Sequence, residues 1–290
     1  MKIPDIDQAK ISAATAGDLA AIDALLAAIQ GGIFNLALRM LGNRDDASDA
    51  TQEILLKVVT HLASFRGEAA FSTWTYRIAR NHLLTAITRS REHPAVSLDA
   101  LHDRLQTGLD YADAHNTDQS LTPEDKAAAR QVALGCTQGM LMALDREQRL
   151  AFVLDAVFGL NSDEAASVLD ITAAAYRKRL SRAKQLLDPF FRRTCGLANA
   201  EARCRCERQL PALRSIEASE GNAQRIRFVA HREELAEAEV HFSALLRMSD
   251  AVAIFRAHPE YRVPTSMVPA IRAVLKREGY WRSDALGGLQ

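Results

Sequence analysis

Residues 161–187 read NSDEAASVLDITAAAYRKRLSRAKQLL, and their local chemistry specifies two helices joined by a tight turn. Asn161 is a good N-cap, and Glu164, three residues on, completes a capping box. Ala165, Ala166, Val168 and Leu169 recur at helical spacing and give the first helix one apolar stripe. Asp170 falls where the chain must reverse, and Asp tolerates the left-handed backbone such a turn needs. Thr172 then caps a second helix, expected over 173–187. On it Tyr176, Leu180 and Ala183 follow at three- and four-residue steps, while Arg177, Lys178, Arg179, Arg182 and Lys184 make it cationic, with no acid before Asp188. A charge run alone reads as a solvated surface helix. Behind a capped helix and a turn, it reads as the helix that enters a DNA major groove.

The bulk numbers restrict the rest. At 290 residues the chain has room for two or three modest domains, and 48% hydrophobic with 25% charged residues describes an ordinary globular protein. Abundant Ala with only 14 Gly and 8 Pro favours helix over sheet. The 36 basic and 36 acidic residues cancel, so any affinity for nucleic acid must come from local segregation of charge. MKIPDIDQAK does not open like a signal peptide, and no uninterrupted apolar run approaches the roughly 20 residues of a membrane span. Four cysteines, three of them bunched, do not form a disulfide framework. A reduced, cytoplasmic protein with no membrane partner is expected.

Toward the N-terminus, 18–30 and 33–41 alternate at helical period with Gly31 and Gly32 as the break, and Gly42 with Asn43 ends the second segment. A third helix, opened by Asp45 or Asp46, carries an apolar stripe of Ala47, Ala50, Ile54, Val58 and Leu62. Its other face shows Asp46, Asp49, Gln52, Glu53 and Lys57, too acidic for DNA and suited to a protein partner. After Gly67, Ser72 or Thr73 is expected to cap a helix bearing Trp74, Tyr76, Arg77, Arg80 and Asn81. Arginines and an amide interleaved with aromatics can hold phosphates while bases stack, although Trp74 and Ile78 read better as core.

These blocks carry a resemblance. IFNLALRMLGNRDDASDATQEILLKVV followed by FRGEAAFSTWTYRIARN resembles region 2 of a sigma-70 family factor of the extracytoplasmic-function (ECF) type. LDREQRLAFVLDAVFGLNSDEAASVLDITAAAYRKRLSRAKQLL resembles region 4 of the same family, and the likeness covers roughly residues 10–190. It implies an all-α protein that performs no catalysis, binds core RNA polymerase and promoter DNA, and directs transcription initiation. It implies polymerase docking through Asp46, Asp49, Gln52, Glu53 and Lys57, and capture of a flipped −10 base by the loop from Ser64 to Phe71, with Arg66 and Phe71 in it. It implies that Arg77, Arg80 and Asn81 meet the duplex–single-strand junction, and that Arg177, Lys178, Arg179 and Arg182 act at the −35 element. Two departures stand out. Asp170 replaces the usual turn glycine, and Ala173 to Ala175 replace polar base readers, which shifts promoter contact onto Tyr176 and the arginines. The alternative is a stand-alone helix-turn-helix regulator whose C-terminal domain senses a metal or ligand.

The resulting organisation is a region 2-like domain over 1–92, an acidic linker with at most one short helix over 93–125, a helix-turn-helix domain over 126–190, and a helical extension over 191–290. Asp99, His102 and Asp103 mimic an acid/base or metal cluster, but nothing in a linker would preorganise them. In the extension, Cys195, Cys204 and Cys206 are close enough to share a zinc ion, with His231 or His241 as a fourth ligand. Spectator thiols and a redox sensor are the competing readings. Three amphipathic helices follow, with a core of Leu235, Val240, Leu245, Leu246, Val252, Ile254, Phe255, Val268, Ile271 and Leu275. Such an extension can restrain the DNA-binding domains in place of a separate anti-sigma protein.

Overall fold

The computed structural model describes residues 2–89, 97–115, 121–220, 255–256, 258–264 and 267–278, with backbone only at 86–89 and 217–220. The described residues are helical apart from turns and one isolated bridge between Cys195 and Cys204. Their order is α1 (Gln8–Thr15), α2 (Leu19–Leu41), α3 (Arg44–Thr60), α4 (Phe71–Arg89), α5 (Leu98–Ala114), α6 (Pro123–Met142), α7 (Arg146–Ala156), α8 (Ser162–Leu169), α9 (Ala173–Thr194), α10 (Leu210–Glu220) and α11 (Val268–Arg277). Of the expected tail core, Leu235, Val240, Leu245, Leu246, Val252 and Ile254 lie outside the described residues, as do His231 and His241.

Local chemistry sets the boundaries where the sequence placed them around the turn. Asn161 and Glu164 form the reciprocal capping box of α8. Asp170 closes that helix at φ 53° and ψ 48°, and Thr172 caps α9. Gly42 ends α2 in the left-handed region at φ 77°, after which Asn43, rather than Asp45 or Asp46, caps α3. The expected α3 stripe is buried from Ala47 to Leu62.

Four expectations are corrected. Gly31 and Gly32 do not break a helix, because α2 runs unbroken from Leu19 to Leu41. An interior glycine costs about 1 kcal/mol, whereas each fully buried Leu, Ile or Phe of the many on α2 returns about 1.5–3 kcal/mol. By length and composition this helix could cross a membrane, contrary to the sequence reading. Here it is the element against which α1, α3, α4, α6 and α7 pack. The supposed linker contains the seventeen-residue α5, capped by Ser97, with Leu101, Leu105, Leu109 and Ala112 buried against α6 and α10. Finally, α9 does not stop near Leu187 but continues through Pro189 to Thr194, burying Phe190 and Phe191.

Residues 255–256 and 258–264 lie across α2, α6, α7 and α9 as a strap. Phe255 is buried edge-on against Phe152 of α7 (4.9 Å) and Phe191 of α9 (5.7 Å). The His258 imidazole meets the Thr137 hydroxyl of α6 at 2.7 Å. Beyond it, the Asn35 side chain of α2 donates to the Tyr261 carbonyl (2.8 Å) and accepts from the Tyr261 N–H (2.9 Å). The fully buried Arg39 guanidinium donates to Asn35 and to the Pro259 carbonyl and lies over the Tyr261 ring. Burial lowers its pKa to about 10, which leaves it charged at neutral pH.

Burial, with the charge of Arg39 second, pushes the His258 imidazole down to about 3 from 6.5. The unfolded chain therefore takes up a proton near pH 6.5 that the folded chain refuses until about pH 3. Stability is full above pH 6.5 and falls below it by about 1.4 kcal/mol per pH unit. Thermal denaturation from pH 8 to 5 should show Tm constant at first and then falling, with His258→Gln removing that part of the slope. Asn35→Leu should cost about 2–4 kcal/mol in urea unfolding, because it strands the Tyr261 N–H and carbonyl.

Candidate nucleic-acid interface

The second helix of the turn unit is held by its apolar face. Tyr176, Leu180, Ala183 and Leu187 are buried, and α9 packs on α7 and α8. Tyr176 is fully buried, and its hydroxyl donates to the Ala151 carbonyl at 3.0 Å. This corrects its expected role at DNA: its ring anchors α9 to α7. The five cations divide by neighbour. Arg179 pairs with Glu147 at 2.7 Å and Lys184 with Asp155 at 3.0 Å, both on α7. Arg177, Lys178 and Arg182 are exposed and make no ion pair among the described residues. Ala174 and Ala175 are exposed at the start of the helix, so a groove would meet methyl groups first and guanidinium groups next.

The loop before α4 is built on aromatics. Phe65, Phe71 and Trp74 form a cluster with centroids 5.4–5.5 Å apart. Phe71 is buried within it, so the structure places that ring in the scaffold of the loop rather than on its surface. Arg66 stands exposed at the tip. Trp74 and Ile78 pack against the core, as expected. Arg77 donates from Nε to the Ser167 carbonyl (2.8 Å) and from the guanidinium to the Ser167 hydroxyl (3.0 Å). Arg80 reaches Asn81 at 2.9 Å and the Val168 carbonyl at 3.3 Å. Both arginines thus cap the C-terminal end of α8, where carbonyls lack helical partners. Tyr76 is core: its hydroxyl accepts from the Ile3 N–H, and its ring packs edge-on against Phe158.

On α3 the polar face is open. Asp46, Asp49, Glu53 and Lys57 are exposed and Gln52 is half-buried. Lys57 meets His82 of α4 at 2.9 Å, with Glu53 at 3.7 Å from the same ring. Arg44, at the start of α3, donates to the Arg262 carbonyl of the strap.

An acidic helix, an arginine-bearing helix and a helix-turn-helix thus stand in this order along the chain. A family model described as Sigma-70 region 2 matches residues 25–93, and another, Sigma-70, region 4, matches 134–187. Over these two regions the chain matches the sigma-70 family. It is similar to the ECF RNA polymerase sigma-E factor of Escherichia coli K12, at 28% identity over 64% of this chain and 97% of the relative. It is likewise similar to the RNA polymerase sigma-H factor of Pseudomonas aeruginosa, at 26% identity over 63% of this chain and 92% of that one. A solved chain described as the sigma factor RpoE in complex with the anti-sigma factor NepR from Bartonella quintana matches with TM-score 0.38 and 18% identity, covering 57% of this chain and 92% of that chain. The sigma-type modules thus account for about two thirds of the protein.

The cysteines gather elsewhere. Cys195, Cys204 and Cys206 line one cavity of about 20 Å³ together with Cys136 of α6, which sequence spacing had not connected to them. Its half-buried position one residue before Thr137 on α6 offered no sequence pattern to link it with the later trio.

Salt dependence separates the roles on the sigma-type α9. Arg177→Ala, Lys178→Ala and Arg182→Ala should each weaken DNA binding and reduce the slope of log K against log salt by about 1. Tyr176→Phe should leave that slope unchanged and lower stability by about 1 kcal/mol.

Proposed function

We infer that this protein is an ECF-type promoter-specificity subunit that binds core RNA polymerase, recognises promoter DNA and so directs transcription initiation. The observation that carries this reading is the pair of matched regions in their expected order, each bearing the appropriate open face. The acidic side of α3 offers charge to a basic protein partner. Arg177, Lys178 and Arg182 on α9 offer charge to phosphate, supported by Arg179, and Arg66, Arg77, Arg80 and Asn81 lie along the loop and helix that meet an opened strand. The subunit performs no chemistry itself and works in the cytoplasm, where polymerase and DNA are found. A free-standing helix-turn-helix regulator is not favoured, because such a regulator has no use for the region 2 module.

The C-terminal segment restrains these surfaces. Residues 255–256 and 258–264 join α2, α6, α7 and α9, and α11 packs on α2 and α3. In the same closed arrangement Arg77 and Arg80 are occupied by α8. Two means of restraint were read from the sequence, a separate anti-sigma protein and the chain's own extension, and this packing supports the second directly. Holding the modules together costs polymerase binding whatever free energy is needed to part them.

Two measurements test the reading. Size-exclusion chromatography should show the full chain co-eluting with core polymerase, and the double reversal Asp49→Lys with Glu53→Lys should weaken that complex at least about tenfold, about 1.4 kcal/mol. Failure of the wild-type chain to associate would remove the sigma-factor reading. A chain ending at Glu220 should bind core polymerase more tightly than the full chain while melting at lower temperature. Equal affinity would remove the restraint and leave the sigma function standing.

A further inference from the structure

Four free cysteines come from three separate parts of the chain and line a single small cavity. Cys136 enters from α6, Cys195 from the end of α9, and Cys204 and Cys206 from the loop before α10. No carboxylate or imidazole lines the cavity; besides the thiols its heteroatoms include the Met140 thioether and the Gln209 amide. The backbone is drawn tight around the cavity. Cys195 and Cys204 form the isolated bridge, with the Gly196 N–H donating to the Cys204 carbonyl at 2.9 Å. A Cβ at position 196 would overlap that carbonyl and the Arg205 guanidinium, so glycine is required for the two turns to meet. Arg205 fastens the second turn through the carbonyls of Ala200, Ala202 and Cys204.

The sulfurs also have donors aimed at them. The backbone N–H groups of Leu197 and Ala198 lie where they favour the Cys195 thiolate, with Ala198 N–H donating to the Cys195 carbonyl at 3.1 Å, and Gln209 Nε2 approaches the Cys204 sulfur at 3.6 Å. Such N–H contacts stabilise a thiolate more than a thiol. Without a cation the thiolate form is disfavoured, since burial pushes all four thiols above their ordinary value, while Arg205 acts in the opposite direction on Cys195 and Cys204. Among the described residues no group of three or more His, Cys, Asp and Glu side chains stands at ligand spacing, so the thiols must rotate inward to share one centre.

We propose that Cys136, Cys195, Cys204 and Cys206 form a four-thiolate site for a single zinc ion, which ties α6 to the end of α9 and to the turn before α10. The space between the thiols, about 20 Å³, is little more than that of one water and suits a lone ion. The donor set selects its class, since four soft ligands in a closed, apolar setting suit tetrahedral zinc. Binding is written Zn²⁺ + 4 RSH → [Zn(SR)₄]²⁻ + 4 H⁺, with no change of oxidation state. The double negative charge falls beside Arg205, and the Gln209 amide is its outer donor. Affinity therefore rises with pH, because four protons must leave. His231 and His241, the expected fourth ligands, are not needed once Cys136 is counted.

The test uses the full chain, reduced and handled without oxygen. Elemental analysis should find one zinc per chain, and Co²⁺ in its place should give thiolate-to-cobalt charge transfer of four-sulfur intensity. Cys136→Ser should reduce that intensity by about a quarter and weaken zinc binding at least about tenfold. In the wild-type chain, which needs no variant to fold, zinc should protect all four cysteines from alkylation, read by peptide mass spectrometry. A chain that binds no stoichiometric zinc, a Cys136 alkylated equally with and without zinc, or a Cys195–Cys204 disulfide in the freshly isolated protein would each overturn the proposal.

Discussion

One guanidinium holds the joint between the two regions that match the sigma-70 family. Arg149 of α7 donates to the carbonyls of Leu141, Met142 and Leu144 at the end of α6 and to that of Met40 at the end of α2. Helix ends leave carbonyls without intrahelical partners, and their partial negative charge attracts a cation. Two helices from different modules thus finish on the same charged fork. Gln138 adds a second tie, with its amide donating to the Leu38 and Arg39 carbonyls. The angle at which α2 meets α6 follows from these bonds, and with it the position of everything built on either helix.

Helix α2 has a second set of obligations. Asp23 pairs with Arg272, Gln30 accepts from the Met267 N–H, Asn35 pairs with Tyr261, and Arg39 reaches Pro259. Each polar interruption of an otherwise apolar helix is met by the C-terminal segment. Asn35 and Arg39 are buried, and a buried polar group without a partner costs about 1–3 kcal/mol, so these two make sense on α2 with the tail in place. The extension is a structural counterpart of the sigma-type core rather than an appendage.

The sequence was most legible where structure is decided within a few residues. The capping box at Asn161, the left-handed Asp170 and the cap at Thr172 each act locally, and all three were readable. The α3 stripe was readable because its burial follows a single period. Legibility failed where distant packing overruled local preference. Gly31 and Gly32 read as a break because the weight of apolar burial on α2 lies outside any short window. Helix α5 was hidden by its acidic residues, although Ser97 and the four-residue steps from Leu101 to Leu109 were a usable signal. Tyr176 sits on a helix whose charge drew attention to DNA, yet its place in the three- and four-residue series with Leu180 marked it as core. Cys136 had no signal at all, since only the folded chain brings it to the other thiols.

The end of α8 has a consequence for how the closed form gives way. Its last carbonyls present Arg77 and Arg80 with a fraction of an electron's charge, an imitation of the nucleic-acid backbone built from peptide dipoles. A phosphodiester carries a whole charge, so at the proposed promoter contact it competes with that imitation for the same guanidinium groups. On the proposed function, the α8 carbonyls hold both guanidinium groups in place until a promoter phosphate displaces them.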